Sequence, residues 1–136
     1  MDSPNSYERI EHTADLAIRV WGPDLPALFI NAASALFEMM SRPPLEDDLA
    51  REVVVEAPDS EALFVDWLNH LIYLHEVEHE TYTRFAIVEL TIDTLRAMVY
   101  GGKTLQKTKT IKAATYHDLA FHQTADGYET VVVFDV

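Results

Sequence analysis

The chain has 136 residues, 49% of them apolar, with two Trp, six Phe and six Tyr. This is enough for one ordinary hydrophobic core and excludes a disordered or low-complexity chain. There is no Cys, so disulfides and thiolate metal centres are excluded. No apolar run approaches the roughly 18 residues of a membrane span. The opening MDSPNSYERI lacks the apolar region of a signal peptide, so the expected location is the cytoplasm. The formal net charge of −13 disfavours autonomous nucleic-acid binding, because affinity for phosphates comes from Lys and Arg. A cation or a basic protein suits such a surface better, although acidity can also serve solubility alone.

Leu16 to Trp21 alternates: Leu16, Ile18 and Val20 on one side, Ala17, Arg19 and Trp21 on the other. This predicts a strand. Gly22-Pro23-Asp24 breaks it, and Asp24 is placed to cap a helix that tolerates Pro26 in its first turn. That helix should run to about Met40, burying Phe29, Ala33, Leu36, Phe37 and Met40. Pro43-Pro44 stops it, and Leu45 to Leu49 reads as an acidic loop. Glu52 to Glu56 predicts a short strand. Asp59 or Ser60 should cap a second helix, with Phe64, Trp67, Leu68, Leu71 and Leu74 inward and an end near His79.

The second half reads as β structure, with strands expected at Arg84 to Ile92 and Leu95 to Tyr100, and a turn at Gly101-Gly102. Ile111 to Tyr116 and Asp118 to Gln123 are further strands. Asp126-Gly127 signals a hairpin, and the last strand runs from Tyr128 to Val136. The order β-α-β-α followed by strands predicts an α+β fold. Its single domain has two amphipathic helices packed on one mixed, largely antiparallel sheet.

Four groups of residues could carry chemistry. Glu11-His12-Thr13-Ala14-Asp15 sits at the mouth of the first strand, where a site would be held still, although Thr13 and Asp15 could equally build the opening turn. Asp135-Val136 ends a strongly strand-like run and offers the oxygen ligands that hard cations prefer; a frayed end is the bland alternative. Lys112 lies in the apolar stretch Ile111 to His117, where it could hold an anion or simply guard an edge strand. His75-Glu76-Val77-Glu78-His79 matches the H-E-x-x-H pattern of zinc hydrolases. Its extended form fails, because Tyr82 and Phe85 stand where that form needs Gly and His.

Three of these stretches together resemble the archease family: Glu11-His12-Thr13-Ala14-Asp15 with its following strand, Lys112-Ala113-Ala114-Thr115-Tyr116-His117, and the hydrophobic last strand closing on Asp135-Val136. The helix cores Ala32 to Met40 and Leu63 to Leu74 are also similar, so the resemblance spans nearly the whole chain. Gly101 to Thr110 is shorter than the family's loop before the K-A-x-T-Y-H stretch.

The resemblance implies a small α+β protein that is not itself an enzyme and has no catalytic residue. Such proteins assist the GTP-dependent RNA ligase that joins 3′-phosphate and 5′-hydroxyl ends in tRNA splicing and RNA repair. They promote guanylation of the ligase and multiple turnover. The implied metal ligands are Asp15, Asp135 and Val136, holding Ca²⁺ or alternatively Mg²⁺, and the signature Lys112, His12 and His117 are the implied partner-facing residues. A zinc hydrolase built on His75 and His79, or a general chaperone, is the competing expectation.

Overall fold

The computed structural model describes residues 6–10 and 15–136. Its elements in chain order are β1 (Tyr7–Ile10), β2 (Leu16–Gly22), α1 (Leu25–Met40), β3 (Leu49–Glu56), α2 (Ser60–Glu78), β4 (Glu80–Leu90), β5 (Thr94–Lys103), β6 (Ala113–Ala114), β7 (His122–Thr124) and β8 (Gly127–Asp135). The fold is α+β as expected, but its strands divide into two sheets. One follows the order β1-β2-β8-β6, with β7 also on β8; the other is β3-β5-β4. Every pairing in both is antiparallel.

Both helices begin where their caps predict. The Asp24 carboxylate accepts the Ala27 N–H at 2.9 Å, and the Asp59 carboxylate accepts the Ala62 N–H at 2.8 Å. Each thus satisfies an amide that the first turn leaves without a partner. The two predicted stripes are buried throughout, and they meet through an edge-to-face contact between Phe29 and Phe64. The Trp67 indole N–H donates to the Phe29 carbonyl at 3.0 Å, so this large ring is buried with its polar atom satisfied. A single apolar cluster joins both helices to both sheets.

Gly101 and Gly102 do not form the expected turn; they lie inside β5. A Cβ on Gly101 would stand 1.9 Å from the Thr81 carbonyl oxygen, and one on Gly102 2.0 Å from that of Glu46. These glycines therefore permit close backbone approach, the other reason for glycine in a strand. β4 begins at Glu80, four residues before the predicted strand, and is a sheet edge. Its register shifts between Tyr82 and Arg84 and again between Ile87 and Glu89. Bulges of this kind blunt an edge against pairing with other chains.

The start of β4 carries a buried charge. Glu80 is 3% exposed, and Arg51 of β3 meets it with two parallel bonds of 2.9 and 2.8 Å. The Tyr82 hydroxyl donates to the same carboxylate. Burial alone would push the Glu80 carboxyl upward, but the bonds from Arg51 and Tyr82 outweigh it and hold the group below its ordinary range. Replacing Arg51 by Met should cost about 2–3 kcal/mol in urea unfolding, because Glu80 is left buried without its cation. A change within about 0.5 kcal/mol, the size of an ordinary surface substitution, would show that the pair is not a stabilising contact.

Candidate metal and partner site

The β2–β8 ladder pairs Leu16 with Phe134, Ala17 with Val133 and so on to Gly22 with Tyr128. Asp15 and Asp135 each lie one residue outside the first of these pairs, on the same side of it. The ladder therefore brings two aspartates, 120 positions apart in the chain, to adjacent strand ends. On the other edge of β8, Ala113 of β6 pairs with Asp135 and Ala114 with Phe134. Lys112, the residue before β6, donates its backbone N–H to the Asp135 carbonyl at 2.8 Å. That carbonyl thus belongs to the ladder. Asp135 is exposed, and Val136 keeps 39% of its surface.

The short β6 is fixed from two sides. Besides β8, the Asn69 side chain of α2 receives the Ala114 N–H at 2.7 Å and donates to the Ala114 carbonyl at 3.1 Å. A side-chain amide thus stands in for a neighbouring strand, and this ties the Lys112 backbone to the helix layer. Thr115 continues the ladder by donating both its N–H and its hydroxyl to the Val133 carbonyl. Tyr116 then reaches back to α2, where its hydroxyl donates to Asp66 at 2.9 Å. Neither Asn69 nor Asp66 carries a recognisable signal in the sequence, since each acts on residues about fifty positions away.

Antiparallel pairing carries the chain from Ala113 opposite Asp135 to Thr115, which bonds Val133, and the chain then turns at Tyr116 to Leu119. His117 is exposed, with its ring 3.3 Å from Asp118. His12 falls outside the described residues. Among the described residues, no three His, Asp or Glu side chains gather at metal-ligand spacing. Of the expected metal ligands, the ladder brings Asp15, Asp135 and Val136 to one end of the sheet.

The H-E-x-x-H stretch is not assembled for zinc. His75 is 3% exposed, its Nδ1 lies 2.8 Å from the Glu80 carbonyl, and its ring packs edge-on against Phe37. His79 is not on the helix face at all: it is the left-handed C-cap, with φ at 57°, and is exposed. One ring is in the core and the other has left the helix, so the i and i+4 geometry never forms.

The chain matches the Archease protein family over residues 7–136. It belongs to the archease family. Protein archease of Methanosarcina acetivorans is 35% identical, with 96% of this chain and 95% of that protein covered. Protein archease of Pyrococcus abyssi is 34% identical, with 89% and 91% covered. The solution structure of Methanobacterium thermoautotrophicum protein 1598 superposes with a TM-score of 0.77 at 26% identity, covering 97% of this chain and 99% of that one. The crystal structure of an archease and possible chaperone from Thermotoga maritima gives 0.68 at 29% identity, covering 100% and 98%. The archease family and the α+β fold are thereby shown. No helix among the described residues is long and apolar enough to cross a membrane.

The buried imidazole gives this archease-family chain an acid sensitivity of stated sign. Burial, only partly offset by the bond to Glu80, lowers the His75 pKa from its ordinary value. The unfolded chain therefore binds this proton first. Stability from His75 is complete above about pH 6.5, the unfolded value, and falls as the pH drops below it. Urea midpoints should decline between pH 7 and pH 5.5, and His75→Phe should reduce that decline. An unchanged decline in His75→Phe would place its origin elsewhere, with His70, also lowered by burial, as the next candidate.

Proposed function

We propose that this chain is a non-enzymatic activator of a GTP-dependent RNA ligase, and that it binds a hard divalent cation, Ca²⁺ or Mg²⁺, through Asp15, Asp135 and Val136. The observation that carries the proposal is the β2–β8 register, which places Asp15 and Asp135 at the same end of two neighbouring strands. Two like charges so placed repel each other, and a divalent ion between them removes that cost. Family membership supports a role with a protein partner, which we read as the ligase, and the net charge of −13 fits a basic protein surface better than RNA itself.

The division of labour follows from position. When bound, a divalent cation would supply positive charge at the strand ends. Asp15, just before β2, and Asp135, the last residue of β8, would hold it from positions set by the rigid ladder. Lys112, whose backbone is fixed by the Asp135 carbonyl, stands beside it at an exposed edge, where an ammonium group can meet a nucleotide phosphate or a ligase carboxylate. Docked near the nucleotide site of the ligase, this edge would order the groups that accept the guanylate.

A single-turnover guanylation assay tests this reading, with GTP and a matching ligase, in the presence and absence of the chain. Wild type should stimulate guanylate formation. Asp15→Ala and Asp135→Ala should each lower that stimulation about tenfold or more, by the usual cost of disturbing a metal site. Full stimulation by folded Asp15→Ala would refute the proposed site, and no stimulation by wild type would refute the activator role.

A further inference from the structure

The strap that leads from β5 to β6 carries a charge unlike that of the rest of the molecule. Residues 103–112 hold all four lysines of the chain and no acidic residue. The acidic excess therefore lies wholly outside this segment. Its backbone is fixed across the ends of both helices. The Thr104 N–H donates to the carbonyl of His79, the C-cap of α2, at 2.8 Å. The Thr108 N–H donates to the Met40 carbonyl at 2.8 Å, and its hydroxyl to that of Met39 at 3.0 Å, in the last turn of α1. Ile111 is buried and seats the other end of the strap in the core.

From Lys107 to Tyr116 the chain runs antiparallel to α2. Lys107 bonds Glu76 at 3.2 Å, Ala114 exchanges two bonds with Asn69, and Tyr116 donates to Asp66. Asp66, Asn69, Tyr73 and Glu76 recur at helical spacing and so share one flank of α2. Tyr73 therefore sits on the flank that the strap follows, between two of its contacts, yet 55% of it is exposed. Val77, one turn further on, keeps 50% of its surface and Tyr116 keeps 56%. The two acids on this flank are already engaged, by Tyr116 and Lys107. Lys109 and Lys112 are exposed, and neither side chain makes an ion pair or hydrogen bond among the described residues.

We propose that this flank of α2 and the strap beside it form the docking surface for the protein partner, and that the partner sets an acidic, apolar-bearing surface against it. Half-exposed tyrosines and a valine offer apolar area that a partner can bury, and the unengaged ammonium groups beside them select carboxylates. The acidic remainder of the chain draws a basic partner from a distance, and the strap then admits only the orientation that brings an acidic patch to it. RNA fits this surface less well. Of the strap's lysines only Lys109 and Lys112 are unengaged, Asp66 and Glu76 lie on the same flank, and Val77 offers nothing to a phosphate. A second copy of the chain would bring the same lysines to both sides of the contact. The surface runs on to the strand ends, because Lys112 donates its N–H to the Asp135 carbonyl. A partner docked here is held beside the candidate cation site. That the partner is the ligase rests on the proposed activator role.

Calorimetric titration of the full chain into a matching GTP-dependent ligase tests this, with guanylation measured over a range of chain concentrations. Tyr73→Ala and Lys109→Glu should each weaken binding about tenfold. Each should raise the concentration for half-maximal stimulation by the same factor and leave the maximum unchanged. High salt should shrink the effect of Lys109→Glu and spare that of Tyr73→Ala. Val54→Ala, at an exposed position on the three-stranded sheet, should bind as wild type does. Both test positions are exposed, and matching urea midpoints confirm that the variants fold. Wild-type affinity in both variants overturns the surface and leaves the activator role standing. Lower maximal stimulation without loss of affinity also overturns it, by placing these residues at the chemistry. Weaker RNA retention by the complex with unchanged ligase affinity overturns it in favour of RNA. Wild type that does not bind the ligase refutes the activator role, and this assignment falls with it.

Discussion

The antiparallel pairing of β2 with β8 is the constraint on which the molecule turns. It joins a strand near the start of the chain to the last strand, and seven consecutive residue pairs fix its register. Because side chains alternate, a slip of one residue would send Ile18, Val132 and Phe134 to the wrong face of the sheet. All three are fully buried, so the core locks the ladder. The ladder in turn determines what meets at its ends: Asp15 beside Asp135 at one, and Trp21, Glu129 and Tyr128 around the Gly127 turn at the other. The arrangement of residues at both ends follows from hydrophobic burial between them.

Charge is distributed so that little of it is placed at risk in the core. With 23 acidic residues against 10 basic ones, most carboxylates must remain in water or find cations. Among the described residues Glu80 is the buried exception, and it is held by the planar fork of Arg51 and the Tyr82 hydroxyl. His75 sits beside the same segment and bonds the Glu80 carbonyl while its other ring nitrogen has no partner. The junction of α2 and β4 is therefore a polar structural joint, which accounts for histidines and glutamates that otherwise imitate a hydrolase.

Much of this was legible from the residues. Asp24 and Asp59 announced both helices through their caps, and apolar spacing identified the faces that are buried. Asp126-Gly127 marked the final hairpin. Asp15 and Asp135 stood out through resemblance, and their adjacency needed only that the first and last strands be antiparallel neighbours. Other features were illegible for physical reasons. Gly101-Gly102 signals a turn in isolation, but the demand for glycine comes from Thr81 and Glu46, which approach from elsewhere in the chain. β1 has the sequence Tyr-Glu-Arg-Ile, with no alternation to betray it, and β6 is two residues long. Glu80 looks like a surface glutamate because the arginine that makes its burial tolerable lies 29 positions away. The division into two sheets likewise depends on which strands pair at long range.

The central claim is that the β2–β8 register creates a divalent-cation site, and calorimetric titration of Ca²⁺ into the metal-free chain tests it most directly. The account predicts one ion per chain, bound about tenfold or more weakly by Asp15→Asn and by Asp135→Asn, and with unchanged affinity by His75→Phe. Wild-type chain that takes up no ion, or binding that survives both aspartate substitutions undiminished, would contradict it.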